Sequence, residues 1–154
     1  MESIIKVCKT CSLALCNEGK PYVIPMNFAL YEGIIILHSG KHGRLWKTLQ
    51  NNKEVCINWT LGEKIKWQDV QIGCSYSVES RSVNVEGTLE IVEDYDEKYF
   101  LLTKFMSQYS DREFNFSAPA VKNVAVYKVH IVQMTGRMFG VRPPYTTDMK
   151  GEKV

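Results

Sequence analysis

The sequence lacks both a long apolar run and a large net charge. No apolar stretch approaches the roughly 20 residues that a membrane-spanning helix needs, and the opening Met-Glu-Ser-Ile-Ile-Lys has none of the regions of a secretory signal peptide. The 19 Lys and Arg residues nearly balance the 17 Asp and Glu residues, leaving a net charge of +2. That charge is too small to hold nucleic acid or an anionic membrane. We therefore expect a soluble, cytoplasmic protein that binds neither.

The common catalytic and nucleotide-binding motifs are also missing. There is no Gly-x-Ser-x-Gly, no His-Glu-x-x-His, no Gly-x4-Gly-Lys-Ser/Thr and no Gly-x-Gly-x-x-Gly after the first predicted strand. These absences argue against a serine hydrolase, a zinc protease, a P-loop enzyme and a doubly wound dinucleotide-binding fold.

Five cysteines, an odd number in a chain without an export signal, argue against a disulfide framework. Cys8, Cys11 and Cys16 have a spacing typical of part of a metal site, but neither Cys56 nor Cys74 has a partner at short range. We expect reduced thiols and no bound metal.

The length of 154 residues and the hydrophobic content of 45% suffice for one core. We expect a single domain over residues 1–140, followed by a polar C-terminal tail over residues 141–154.

Alternation of apolar and polar residues with period two runs through most of the chain and is interrupted by turn residues. It predicts strands over residues 11–16, 22–30, 34–37, 54–60, 75–92 and 123–134. The first three form an antiparallel meander, and Gly87 marks a bulge or a bend in the fifth.

Helical spacing appears in three places, over residues 2–8, around Leu45 to Leu49, and after Asp94, which forms a capping-box-like start with Glu97. Residues 61–73 and 110–120 are predicted connections. Because strands and helices do not alternate, the order predicts a mainly β fold, a small antiparallel barrel with appended helices.

His38 stands where the third predicted strand ends and a loop of small and basic residues begins. The loop, Ser-Gly-Lys-His-Gly-Arg over residues 39–44, leads into a helix, and the N–H groups at a helix N-terminus favour an anion. Residues 41–53 carry four cations and no acid. The pattern indicates a phosphate site. The other two histidines, His42 and His130, are interpreted as surface side chains.

Two further positions indicate a ligand. Pro25 cannot donate a hydrogen bond to a neighbouring strand, so we expect it at an edge or a bulge, with the backbone polar groups of residues 26–28 partly free for a planar heterocycle. The polar segment Ser80-Arg81-Ser82 begins a strong strand and could reach the same anion.

Five segments, in this order, resemble the nitroimidazole-resistance family of the pyridoxamine 5′-phosphate oxidase-like, flavin-binding split-barrel proteins. They are residues 21–28 (PYVIPMNF), 31–33 (YEG), 37–44 (LHSGKHGR), 51–56 (NNKEVC) and 76–87 (YSVESRSVNVEG). The resemblance extends over residues 8–135. It implies an FMN-binding split barrel and a homodimer with two flavin sites at the subunit interface, each built from both chains.

The resemblance also implies site residues. Residues 25–28 would line the isoalloxazine ring, and the loop after His38 would face the ribityl-phosphate end. In the nitroimidazole-resistance branch the histidine that matches His38 lies beside the substrate pocket, so His38 is the candidate catalytic residue. The candidate cofactor-binding residues are Pro25, Met26, Asn27, Phe28, His38, Ser39, Lys41, Arg44, Arg81 and Ser82.

The implied function is that of a flavin-dependent oxidoreductase, with FMN or FAD as the cofactor. It would reduce a nitro-aromatic or another small electron-poor compound, with a reduced nicotinamide as the electron source. The alternative is a non-catalytic protein of the same fold that binds flavin or haem. A pyridoxamine-phosphate oxidase proper fits less well, because its arginine- and histidine-rich C-terminal motif is not seen after Val141.

The apolar content also favours a homodimer. The run Ile34–Leu37, together with Trp46, Trp59 and a helical stripe that begins at Tyr95, exceeds what a monomer of 154 residues would be expected to use.

Overall fold

The structure, a computed structural model, describes residues 1–140. The strands are β1 (Cys11–Asn17), β2 (Lys20–Met26), β3 (Ala29–Tyr31), β4 (Ile34–Gly40), β5 (Glu54–Lys66), β6 (Ser77–Val92) and β7 (Val124–Phe139). The helices are α1 (Glu2–Val7), α2 (Gly43–Asn51), α3 (Tyr95–Met106) and α4 (Ala118–Asn123), with a 3-10 turn at Gly73–Ser75. The predicted C-terminal tail, residues 141–154, lies outside the described residues.

All seven strands belong to one antiparallel sheet in the order β2-β1-β5-β6-β7-β4-β3. The sheet does not close, so β2 and β3 are its edges. The inward-facing side chains of β1 and β4 to β7 share one buried cluster with Phe28, which shows that the sheet curls around a common interior. The predicted class, a mainly β antiparallel barrel with appended helices, is confirmed.

The predicted meander of three strands is wrong. Residues 22–30 were expected to form one strand, but the chain leaves the sheet at Asn27 and Phe28 and joins its opposite edge as β3. The hydroxyl of Tyr109 accepts a hydrogen bond from the Phe28 N–H at 2.8 Å and donates one to the Phe28 carbonyl at 2.7 Å. Phe28 therefore needs no neighbouring strand.

Two layers of side chains pack on the two faces of β4 because neighbouring residues of a strand alternate in direction. Ile35 and Leu37 face the barrel interior, whereas Ile36 faces the second buried cluster, beneath α3. Ile35, Ile36, Leu37 and Trp59 are all at most 1% exposed within the single chain. These four residues therefore do not favour a second copy, whereas Ile34, Trp46 and Tyr95, which were named with them, keep exposed surface.

Several elements extend beyond or differ from their predicted bounds. β5 continues to Lys66 and β7 to Phe139, and their last residues flank the start of β6. The predicted loop 110–120 runs into α4, where the Ser117 hydroxyl accepts the Ala120 N–H at 3.4 Å. The register shift at Gly87 confirms the predicted bulge, and a Cβ there would lie 2.5 Å from the carbonyl oxygen of His130.

The start of α3 is also confirmed, since Asp94 Oδ1 accepts the Glu97 N–H at 2.8 Å. Among residues 1–140, we find no helix with the length and apolar character that a membrane crossing requires.

Candidate functional site

His38 lies on the face of β4 that α3 covers. Its ring meets Phe105 edge-on, with 4.6 Å between the ring centroids. The Nδ1 atom is buried and has no hydrogen-bond partner within residues 1–140. Burial lowers the pKa of His38 below its usual value, so the imidazole is neutral near pH 7. A neutral imidazole with an unpaired nitrogen is suited to hydrogen bonding with a ligand.

Ser39 follows His38 and points to the opposite face of the strand. Its hydroxyl lies 2.7 Å from the hydroxyl of Tyr127, a residue with no exposed surface, and also donates to the Gly40 carbonyl at 3.0 Å. The structure therefore does not present His38 and Ser39 to one common pocket, although the two residues are adjacent.

The two cations assigned to the phosphate end contact different elements. The ammonium of Lys41 donates to the carbonyl of Lys122, at the end of α4, at 2.8 Å. The guanidinium of Arg44 stacks on Tyr22 at 4.3 Å and donates to the Pro21 carbonyl at 3.3 Å. Lys41 is thus held near α4, and Arg44 is held near the start of β2.

A basic cleft of about 590 Å³ lies beside the first turn of α2. Its lining includes Gly43, Arg44 and Lys47, as the sequence pattern suggests, and also Lys20 from β2 and one acid, Glu18. The sequence does not predict that Lys20 lines this cleft, because only the pairing of β1 with β2 brings Lys20 close to α2.

Residues 25–28 lie at the β2 edge, where Pro25 pairs with Ser12 and is exposed, as predicted for a proline. Met26 is buried, and the Asn27 side chain donates to the Lys9 carbonyl at 3.2 Å. The expectation that backbone groups of this segment are free for a ligand is wrong at Phe28, because Tyr109 engages both its N–H and its carbonyl.

Tyr109 and Phe105 connect His38 with the segment 25–28 within one chain. The Tyr109 ring lies 5.3 Å from Phe105, whose ring contacts His38. Nothing in the sequence pattern indicates the link between Tyr109 and Phe28.

Arg81 and Ser82 are not brought to the His38 end of the sheet within one chain. His38 pairs with Val126, which pairs with Val92, whereas Ser82 lies ten residues farther along β6. At about 3.3 Å per residue, this is about 33 Å of strand. Arg81 is exposed and lines a cavity of about 190 Å³ with Leu61, Gly62 and Glu79.

Cys8 and Cys11 are poor candidates for nucleophiles. Burial raises the pKa of the Cys11 thiol to about 12, and burial also raises that of Cys8. A thiol acts as a nucleophile in its thiolate form, so these two cysteines serve packing. All five cysteines are free thiols.

His42 is exposed, and it precedes α2. His130 is half-exposed, and its Nε2 lies 2.8 Å from Glu90 Oε2. Both therefore match their interpretation as surface side chains.

The chain belongs to the pyridoxamine 5′-phosphate oxidase family, which it matches over residues 1–138. A crystal structure of a candidate 5-nitroimidazole antibiotic resistance protein from Bacteroides thetaiotaomicron is 42% identical in sequence. The match covers 90% of this chain and 81% of that chain, with a TM-score of 0.81. The resemblance to the nitroimidazole-resistance branch is confirmed.

Two more distant structures share the fold. The flavocytochrome Anf3 from Azotobacter vinelandii is 20% identical, with 96% of this chain and 69% of that chain covered and a TM-score of 0.78. The FAD and haem binding protein from Mycobacterium smegmatis is 12% identical, with 96% and 73% covered and a TM-score of 0.72. No match was found among curated protein sequences. The fold is that of the flavin-binding split barrels.

Proposed function

We propose that this protein is a flavin-dependent oxidoreductase that uses FMN to reduce nitro-aromatic or other small electron-poor compounds. The observation that supports the proposal most is the setting of His38, a half-buried neutral histidine with a buried, unpaired Nδ1 at the start of a basic loop. The resistance protein from Bacteroides thetaiotaomicron, 42% identical, supports the substrate class. Flavin-binding relatives of this fold support the cofactor.

The residues present fit a flavin phosphate. The loop after His38 carries Lys41 and Arg44, and Lys20 and Lys47 line the adjoining cleft. Cations and helix N–H groups provide what a phosphate monoester requires. A bound flavin supplies the hydride and electron transfer, and the protein supplies binding, orientation and electrostatics. Such a division of labour needs no catalytic triad.

His38 acts on the substrate in this proposal. Its imidazole would hydrogen-bond an electron-poor substrate and hold or deliver a proton during reduction. Because Phe105 covers one side of the ring, the orientation of the imidazole is set by packing before any ligand binds.

A homodimer would complete the site. Arg81 and Ser82 lie too far along β6 to act with Lys41 of the same chain, so they would serve the partner's flavin. The exposed apolar side chains that favour a second copy are found in the β5–β6 hairpin and the end of β7, which we call the arm surface. They are Ile65, Trp67, Val70, Ile72, Tyr76, Val78, Met138 and Phe139, each between 42% and 67% exposed.

Large exposed apolar patches mark interaction sites. Ile65 pairs with Val78 across the hairpin, and Trp67 stacks on Tyr76 with 5.6 Å between ring centroids. Of the fourteen large hydrophobic side chains that are exposed within residues 1–140, eight belong to the arm surface. A second copy of the chain is the occupant we propose.

The proposal is tested first by the cofactor that co-purifies, identified by absorption spectrum and mass. A flavin spectrum together with the mass of FMN would support the proposal. The mass of FAD would show that FAD is the cofactor instead of FMN, and a haem Soret band would favour the alternative of a haem-binding protein. Anaerobic reoxidation of the reduced protein by a 5-nitroimidazole then tests activity. A reoxidation rate no faster than that of free reduced FMN would contradict the oxidoreductase function.

His38→Ala, with His42→Ala as the matched surface control, separates the two roles of the histidine. We expect His38→Ala to retain bound flavin and a cooperative melt while reoxidation by the nitroimidazole slows. Loss of flavin with an unchanged reoxidation rate per bound flavin would make His38 a cofactor ligand instead.

A further inference from the structure

The buried nitrogen of His38 has no hydrogen bond that could orient the ring. Histidines that act in catalysis commonly have one ring nitrogen fixed by a carbonyl or a carboxylate, which leaves the other nitrogen free to act. Nδ1 of His38 has no such partner within residues 1–140. The orientation of the imidazole therefore depends on the side chains that pack against it.

Phe105 provides the packing contact. The two rings are nearly perpendicular, with an interplanar angle of 87° and 4.6 Å between their centroids, an edge-to-face arrangement that aromatic rings favour. Phe105 is buried and belongs to α3, whereas His38 belongs to β4. Because packing is less directional than a hydrogen bond, the imidazole is held only as firmly as Phe105 is held.

Tyr109 supports Phe105 from the turn that follows α3. Its ring lies 5.3 Å from the ring of Phe105, at an angle of 34°. The Tyr109 N–H donates to the Met106 carbonyl at 3.0 Å, which ties this turn to the last residue of the helix. The three aromatic side chains thus form one row, in the order Tyr109, Phe105, His38.

The outer end of this row is fixed to the backbone. The Tyr109 hydroxyl accepts the Phe28 N–H at 2.8 Å, and it lies 2.7 Å from the Phe28 carbonyl and 3.1 Å from the Lys9 carbonyl. A hydroxyl has one proton, so these two carbonyls share it. Rotation of a side chain does not move these backbone groups, and the Tyr109 ring is therefore held at its far end.

Gln108, the neighbour of Tyr109, strengthens the same junction. Its side-chain amide donates to the carbonyls of Lys6 and Cys8, at 3.1 Å and 3.2 Å. Its own carbonyl accepts the Lys9 ammonium at 2.7 Å. The end of α3 is thus tied to the segment that joins α1 to β1, and this anchor does not involve His38.

We propose that Tyr109 is a positioning residue for His38 and acts through the ring of Phe105. The inference rests on the proposed role of His38 in reduction and deepens it. The hydroxyl fixes the Tyr109 ring, this ring supports Phe105, and Phe105 sets the angle at which the imidazole meets a bound substrate. A small change of this angle costs rate, because hydrogen bonding and proton transfer both depend on alignment.

Tyr109→Phe tests the positioning directly. The substitution removes the hydroxyl and keeps all three rings, so a change in the nuclear magnetic resonances of the His38 imidazole reports a movement of the rings. Tyr99→Phe on the same helix, which loses a hydroxyl that donates to Asn115 at 3.4 Å, is the matched control. In the protein as purified, we expect the His38 resonances to shift and broaden in Tyr109→Phe alone. Wild-type His38 resonances in Tyr109→Phe would overturn the proposal.

A double-mutant cycle relates the position of the ring to the reaction. We expect Tyr109→Phe to slow reoxidation of the reduced flavin by a 5-nitroimidazole about tenfold, and to cause no further loss in the His38→Ala background. Rates are taken per bound flavin, at a temperature where every variant is folded. A rate that Tyr109→Phe leaves unchanged, or slows equally in both backgrounds, would contradict the proposal.

The two measurements separate this inference from the proposed function. If the wild type is reoxidised no faster than free reduced FMN, the oxidoreductase function fails, and the His38 resonances still decide whether Tyr109 positions the ring. If Tyr109→Phe does not fold, the wild type provides the test. Nuclear Overhauser effects are expected from the His38 ring protons to Phe105, and from Phe105 to Tyr109, and the absence of either set would overturn the inference.

Discussion

The hydroxyl of Tyr109 is bonded to both backbone groups of Phe28, at 2.8 Å to the N–H and 2.7 Å to the carbonyl. It also reaches the Lys9 carbonyl at 3.1 Å. One side chain therefore takes the place of a strand at the point where the chain crosses from one sheet edge to the other.

Tyr109→Phe should destabilise the fold. The substitution leaves the part-buried N–H and carbonyl of Phe28 without their partner, which typically costs about 1–3 kcal/mol. Urea or thermal unfolding measures the loss, with Tyr95→Phe on the exposed side of α3 as the control. An unchanged free energy of unfolding would show that water replaces the hydroxyl.

The pKa of His38 predicts a dependence of stability on pH. Because burial lowers the pKa in the folded state below the value of about 6.5 in the unfolded state, the unfolded chain binds the proton more readily. The contribution of His38 to stability is therefore fully present above about pH 6.5 and is lost as the pH falls toward the lower folded pKa.

His38→Phe should flatten this dependence between pH 7 and pH 5. We expect the difference in the free energy of unfolding between the two pH values to be smaller in the variant than in the wild type, as measured by urea unfolding. His42→Phe, at an exposed position, is the control. If this difference in the free energy of unfolding is the same in His38→Phe and in the wild type, His38 is not held in its neutral form by burial.

A site built from two chains can be tested by mixing subunits. Lys41→Ala and Arg81→Ala should each weaken FMN binding, by about tenfold for one charge-assisted contact. A mixed dimer of the two variants has one intact site, with Lys41 from one chain and Arg81 from the other, and one site that lacks both. Random assembly would therefore restore about a quarter of all sites.

Co-expression with two affinity tags and a titration with FMN would count the restored sites. Lys41→Ala mixed with the double variant is the control, because it forms no intact site. If the first mixture restores no more high-affinity sites than the control, Lys41 and Arg81 do not meet across subunits.

The arm surface predicts where the proposed dimer can be broken. Ile65→Asp places a charge on an exposed side chain of the hairpin, where it disturbs little within the chain. We expect sedimentation to shift from dimer to monomer at micromolar concentration, with an unchanged far-ultraviolet circular dichroism spectrum. Val23→Asp, an exposed apolar position outside the arm surface, is the control. A dimer that survives Ile65→Asp as well as Val23→Asp would place the interface elsewhere.

Local signals made much of the fold predictable. The helix cap at Asp94 depends on residues that are close in the sequence. The bulge at Gly87 and the alternation along β6 are visible within the sequence of a single strand. The resemblance to the family predicted, in addition, that the barrel is a split barrel.

Contacts between distant residues could not be predicted. Tyr109 and Phe28 are 81 positions apart, and nothing in either local pattern shows that a hydroxyl would replace a strand. For the same reason the two halves of the segment 22–30 were joined into one strand. In the candidate site, His38 and Phe105 likewise meet only because α3 packs on β4.

Ten residues of β6 separate Ser82 from the His38 end of the sheet. In the proposed dimer, this separation would make the retention of the cofactor depend on the concentration of subunits. If each flavin is held from both sides of a subunit interface, FMN binds the dimer and not the separated chains, and so draws the equilibrium toward assembly. Dilution of the protein should then release FMN, and excess FMN should hold dimers together at concentrations where the apoprotein dissociates. The cellular supply of flavin would in this way set how much of the protein is assembled.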